Sequence, residues 1–210
     1  MGMGEKMMKL AVNGGISFGA KLNSKQLLTL ARYLKDEDEI EITTFQQLYV
    51  DVPEEKLDDI KEEFKKVGLH CYPVGNFVKS LRTCNFCKGE LEEGMPVAKE
   101  INRRIAGRPV PFTLKPAYTG CPVACGEPLV NDIGVIKQHD HRFDLYVGGK
   151  AKGTDARTGA LFASKLTDEE LYVMIDKLID IYASEGKKRE QFAKFVNRHG
   201  FEALKEKIEA

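Results

Sequence analysis

The chain has 210 residues, 42% of them hydrophobic and 30% charged, which is the balance of an ordinary globular protein rather than a disordered or fibrous one. No apolar run approaches the roughly 18 residues that a helical membrane span needs, so no membrane association is expected. Lys plus Arg and Asp plus Glu each number 32, and this zero net charge gives no support for a nucleic-acid partner. The first ten residues are too polar for the core of a signal peptide, which makes the cytoplasm the expected address.

The neutral total hides an asymmetry. Residues 36–66 carry twelve acidic and four basic side chains, whereas 79–108 carry seven basic against four acidic, and 142–165 five against two. An acidic first third and a basic remainder point to something anionic held in the later part, although acids that simply solvate helix surfaces give the same pattern.

In chain order, Asn23 and Gln26 form the capping pair of a helix with Leu27, Leu28, Leu30, Ala31 and Leu34 along one side. Residues 39–43 alternate polar and apolar as a half-buried strand does, and 48–50 are its continuation or partner. Pro53, Glu54 and Glu55 at the start and Gly68 past the end bracket a second helix, with Leu57, Ile60, Phe64 and Val67 inward. These elements predict an α+β half-domain of ferredoxin-like or related type. A helix is predicted over 95–106, stopped by Gly107 and Pro109, and strands over 133–136 and 143–147. Thr167 and Glu170 make a capping box for a C-terminal helix that Gly186 ends, with Leu171, Met174, Ile175, Leu178 and Tyr182 inward. One or two short helices follow around Gly200.

Four of the five cysteines lie in the irregular middle. Cys84 and Cys87 form a C-x2-C pair, and Cys121 and Cys125 a C-x3-C pair after 33 intervening residues. Paired cysteines in a cytoplasmic chain are metal ligands more readily than a disulfide framework. Four thiolates suit tetrahedral zinc or a 4Fe–4S cluster. The wide second pair and long gap depart from a zinc ribbon. Gly120, Pro122, Ala124 and Gly126 are small or rigid enough for backbone to approach a bulky cluster. Both readings stay open on spacing alone, as does a set of buried thiols without metal. Cys71 stands apart, in an apolar stretch that suits an inert core thiol.

Residues 119–125, Thr-Gly-Cys-Pro-Val-Ala-Cys, resemble the second cluster motif of the sirohaem-containing nitrite and sulfite reductases. The resemblance extends over nearly the whole chain. It includes Thr43-Thr44-Phe45-Gln46-Gln47-Leu48, the helix from Leu57 to Gly68, Asn131 to Val135, Leu145 to Lys150 and Phe195 to Gly200. It implies a ferredoxin-like half-domain over 1–72 and a sirohaem- and 4Fe–4S-binding α+β domain over 73–210, one repeat of a fold that larger members carry twice. It implies Cys84, Cys87, Cys121 and Cys125 as cluster ligands, with Cys125 also bridging to the sirohaem iron. The acidic rim of sirohaem then requires cations, for which Arg82, Arg103, Arg104, Lys115, Lys150, Lys152 and Arg157 are candidates. Arg82 and Lys115 would also serve catalysis by holding the anionic substrate.

The implied activity is reduction of sulfite to sulfide or of nitrite to ammonia. A small 4Fe–4S electron carrier is the alternative, and a zinc-stabilised binding module the third reading. The sequence departs from the family at three places: the first cysteine pair is more closely spaced, Phe45 replaces an arginine, and Thr113 replaces a lysine. With no dinucleotide fingerprint in the chain, the electron donor is expected to be a separate ferredoxin or flavoprotein. A single repeat would leave the pocket incomplete, so a homodimer is expected, lining each pocket with the second copy's Phe45, Thr113 and Lys115. Two further motifs have plainer readings. The segment from His139 to His141 reads as an exposed turn. The Gly148-Gly149-Lys150 turn reads as a hairpin with exposed lysines, unless the resemblance assigns it to cofactor carboxylates.

Overall fold

The computed structural model describes residues 6–17, 20–35, 38–87 and 90–209, and the chain divides into two compact units, 1–74 and 75–210. The first unit contains β1 (Met7–Asn13), α1 (Ser24–Ala31), β2 (Glu41–Ile42), β3 (Leu48–Pro53), α2 (Leu57–Lys66) and β4 (His70–Pro73). Its antiparallel sheet has the order β2-β3-β1-β4. Pairing of Leu10 with Val50 and of Met8 with Val52 sets one side-chain face against the helices. There Leu10, Val12, Val50 and Val52 meet Leu30, Ile60, Phe64 and Leu69 in a buried core.

The capping box of α1 forms as expected: Gln26 N–H donates to Asn23 Oδ1 and Asn23 N–H to Gln26 Oε1, both at 2.9 Å. Its buried face is different. Leu27 and Leu28 are exposed, and Gln26, Thr29 and Leu30 point inward, with Gln26 Nε2 donating to the Gly68 carbonyl at 3.0 Å. An eight-residue helix turns only about twice, and the tether to Gly68 fixes which side faces in.

The second unit contains β5 (Arg82–Thr83), α3 (Glu90–Ile105), β6 (Pro116–Thr119), β7 (Ile133–Lys137), β8 (Phe143–Val147) and β9 (Ala160–Leu166). The helices α4 (Asp168–Glu185), α5 (Phe192–His199) and α6 (Phe201–Glu209) follow. The sheet order is sequential, β5 to β9, with β5, β6 and β7 parallel and the last two strands antiparallel. Helix α3 starts earlier than the 95–106 expectation, because Gly94 and Pro96 fall within its first two turns without ending it. The Thr167–Glu170 capping box opens α4 as expected, and Leu171, Ile175, Leu178 and Tyr182 are buried. No helix among the described residues is long and apolar enough to cross a membrane.

Candidate metal centre

Parallel pairing determines where the cysteines go. Arg82 pairs with Ala117 and Thr83 with Tyr118, so both strands end on the same edge of the sheet. The chain leaving β5 carries Cys84 and Cys87, and the chain leaving β6 carries Cys121 and Cys125. An antiparallel pairing would have sent the two pairs to opposite edges. The two loops touch directly: Cys84 N–H donates to the Tyr118 carbonyl at 3.2 Å, and Gly120 N–H donates to Cys84 Sγ at 3.3 Å. Thr119 Oγ1 lies 4.0 Å from Cys125 Sγ. A side chain at Gly126 would collide with the Tyr118 carbonyl and press on the Cys84 amide, 3.2 Å away. Only glycine lets the second loop fold back over the first.

Both loops are held in uncommon backbone conformations. Phe86 (φ 49°), Ala124 (φ 59°) and Glu127 (φ 56°) occupy the left-handed region, at on the order of 1 kcal/mol each. Arg82 reaches from β5 to Glu127 beyond the second loop, at 2.8 Å. Beneath them, Lys137 at the end of β7 is 3% exposed and binds Glu90 at 2.8 Å and Glu93 at 2.9 Å, both from the first turn of α3. Of the five buried side-chain polar atoms without a hydrogen-bond partner among the described residues, three lie here: Arg82 Nε, Glu90 Oε2 and Tyr118 Oη. Buried polar atoms are rarely left so, and their clustering marks an edge that is incomplete without a further group.

Cys84 is buried, Cys121 half-buried, and Cys87 and Cys125 exposed. Among the described residues, no three His, Cys, Asp or Glu side chains are gathered into a set that could hold a metal ion. The thiols therefore stand in adjoining loops rather than in a closed cage. The donor set still fits a 4Fe–4S cluster. Four thiols border one sheet edge, a backbone amide already donates to one sulfur, and Gly120 and Gly126 let the backbone of the second loop pack closely beside them.

Of the candidate cations, Arg82 alone stands beside the cysteines. Arg103 and Arg104, expected to hold cofactor, lie in the last turn of α3, about 20 Å along the helix from its start. Arg103 is committed to Glu100, at 2.6 and 2.7 Å, and Arg104 to Glu100 and Asp176, at 2.7 and 3.0 Å. Hydrogen bonds from Arg103 and Arg104 push the Glu100 carboxyl down to about 2. Arg104 joins α3 to α4, Arg103 stays paired within α3, and neither stands beside the cysteines.

Lys115 precedes β6, and Gly148-Gly149-Lys150 follows β8, whose Val147 is level with Ile133 and so with Pro116. Lys115, Lys150 and Lys152 thus belong to the sheet edge opposite the cysteines. There Lys150 pairs with Asp155 at 2.6 Å, and Arg157 binds the Gly148 and Ala193 carbonyls at 3.1 and 2.8 Å. Thr113 donates its hydroxyl to the Gly75 carbonyl, and Phe45 is buried at 6% exposure, which removes Phe45 from any surface a second copy could use. His139 to His141 form the expected exposed turn, with His141 Nε2 3.3 Å from Glu93. Sequence reasoning missed Lys137 and Glu90. Their only signal was a lysine closing an apolar strand, which reads as a solvated end.

Residues 77–210 match the family described as the nitrite and sulphite reductase 4Fe-4S domain. An assimilatory-type sulfite reductase of Nitratidesulfovibrio vulgaris is 28% identical over 171 residues, covering 80% of this chain and 78% of that protein. A cobalt-factor III methyltransferase of Priestia megaterium is 29% identical over 194 residues, which are 92% of this chain but only 35% of the methyltransferase. Among solved structures, dissimilatory sulfite reductase I gives a TM-score of 0.73 at 13% identity, covering 97% of this chain and 69% of that one. The Mycobacterium tuberculosis NirA protein gives 0.70 at 21% identity, covering 97% and 39%. At those identities the two structures establish the fold, sulfite- and nitrite-reductase-like α+β. With the family's 4Fe-4S domain matched across the whole second unit except its first two residues, the chain belongs to the nitrite and sulphite reductase family.

Proposed function

We propose that this chain is a sirohaem- and 4Fe–4S-dependent oxidoreductase that reduces sulfite or nitrite. The observation that carries the reading is the convergence of the two cysteine loops on one sheet edge, tied by the Gly120 N–H to Cys84 Sγ bond. Cys84, Cys87, Cys121 and Cys125 would hold the cluster, and Cys125, exposed at the rim, would share its sulfur with the sirohaem iron. When bound, the two groups supply low-potential electrons and an iron site for the oxyanion.

The protein's own part is electrostatic. Amides aimed at sulfur favour the thiolate form. Arg82, at 21% side-chain exposure and two residues before Cys84, is the candidate cation beside the cysteines and could bind an anion there once it exchanges Glu127 for it. Lys150 and Lys152 remain candidates for cofactor carboxylates reaching the opposite edge. Electrons would come from a ferredoxin or flavoprotein, and the working form would be a homodimer.

Anaerobic purification from a host that makes sirohaem tests the proposal. Iron and sulfide in roughly cubane ratio, a tetrapyrrole absorption band and turnover of sulfite or nitrite with a reduced dye are expected. Zinc without sulfide in protein so prepared would overturn it. A second reading, a cluster-bearing electron carrier, is favoured by the commitment of Arg103, Arg104 and Lys150 to carboxylates. A cluster without tetrapyrrole, even after sirohaem is supplied, would select that reading.

A further inference from the structure

Glu90 and Lys137 form a salt bridge that is almost wholly out of water, at 12% and 3% side-chain exposure, on the inner side of the cysteine loops. Its place is fixed from three sides. A side chain built at Gly120, next to Cys121, would meet Glu90 Cγ at 2.8 Å and Oε2 at 2.9 Å, so the carboxylate lies against the backbone of the second loop. Glu90 N–H donates to the Cys87 carbonyl at 3.2 Å, so the same residue is joined to the first loop. Gly94, one turn further along α3, has room for no side chain because Glu90 Oε2 and the Tyr118 hydroxyl both press on it. The groups facing Lys137 are Glu90 and Glu93 from α3, and Glu93 also faces His141 from the β7–β8 turn. Burial works against the ammonium, but its two carboxylate partners outweigh that and raise its pKa.

A buried ion pair is weak evidence for stability, because desolvation takes back most of the attraction. A fixed charge beside a redox centre has a more specific consequence. A cluster held by four thiolates is an anion and becomes more anionic on reduction, so neighbouring charges shift its potential, and more so where water is excluded. We infer that Glu90 and Lys137 are positioning residues whose opposed charges set the reduction potential of the centre held by the two cysteine loops. This rests on the cluster reading above. Lys137 favours the reduced centre, Glu90 opposes it, and the salt bridge between them keeps both charges fixed against the loop backbone.

The test uses the full chain loaded anaerobically with iron and sulfide, its potential read by dye titration with the reduced signal followed by electron paramagnetic resonance. Glu90→Gln keeps the shape and removes the negative charge. It is expected to raise the reduced-to-oxidised ratio at a fixed potential about tenfold, which is about 59 mV for a one-electron couple. Lys137→Met is expected to move the ratio the other way, and Lys137→Arg to stay near the parent value. If Lys137→Met does not fold, Glu90→Gln and Lys137→Arg still decide the matter. An unchanged potential in loaded Glu90→Gln overturns the inference, as does a shift of both charge-removing variants in the same direction, which is what mere loosening would give. Failure of the parent chain to take up a cluster is seen before any variant is made, and it overturns the cluster reading together with this inference.

Discussion

The two edges of the second unit's sheet are built on opposite terms. At the edge holding Lys115, Lys150 and Arg157, charges have partners: Asp155 for Lys150, two carbonyls and Asn197 for Arg157, and the Lys115 amide for Asp132 at 2.8 Å. In and beside the two cysteine loops, three residues sit in left-handed backbone and three buried polar atoms lack a partner among the described residues. The same strands support both, so the difference is not one of scaffold. One edge is satisfied by the chain's own groups, and the other gathers thiols beside polar atoms that the described residues leave unpartnered.

The largest expected effect breaks the cysteine edge outright. Cys84→Ser and Cys121→Ser should abolish retention of iron and acid-labile sulfide, whereas Cys71→Ser, on β4 of the first unit, should leave both unchanged; metal and sulfide analysis after desalting checks this. Next comes stability at the opposite edge. Arg157→Ala removes charged hydrogen bonds to two carbonyls and should cost about 2 kcal/mol in urea unfolding. Arg82→Met in protein without metal should cost under about 1 kcal/mol, since its partner Glu127 is largely exposed.

A third test concerns pH. Burial pushes the Asp132 carboxyl up to about 7, against the Lys115 amide and the nearby Lys115 and Lys150 charges that pull it down. A carboxyl with a raised native pKa binds its proton more tightly when folded. Stability should therefore fall as pH rises from about 4 to about 7 and then level off. Asp132→Asn should flatten that slope, seen by comparing unfolding midpoints at the two ends of the range. The smallest effect is Tyr118→Phe. Deleting a buried hydroxyl that has no partner should leave the metal-free protein within about 1 kcal/mol of the parent, or slightly more stable.

Features that need only neighbouring residues were legible in the sequence. Both capping boxes, Asn23 with Gln26 and Thr167 with Glu170, close within one turn and announce themselves. Strands β7 and β8 carry clear apolar runs. Strand β1 was missed because Met7–Asn13 lacks clean alternation and finds its partners about 40 and 60 residues later. The first turns of α3 were missed because Gly94 and Pro96 read as breakers, whereas the helix runs through both, Pro96 in its second turn forgoing one backbone hydrogen bond. The cysteine spacing was visible, since pairs two and three residues apart need no tertiary information. Which cations join them was not. Arg104 and Asp176 are 72 residues apart, and Lys137 and Glu90 are 47, so charge counts along the chain could locate a basic stretch but not its partners.

The parallel pairing of β5 with β6 also carries a consequence for the order of assembly. Parallel neighbours cannot be joined by a tight turn, and here the connection runs through α3, so the edge closes only after that helix has docked. Closing such a long loop is an entropic cost that local elements do not bear, which places the meeting of the two cysteine pairs late in folding. Until then the chain offers two separate dithiols, each able to bind a metal ion alone and neither able to template a cluster. Loading should therefore follow folding of the second unit rather than nucleate it, and a chain trapped before α3 docks would be open to zinc.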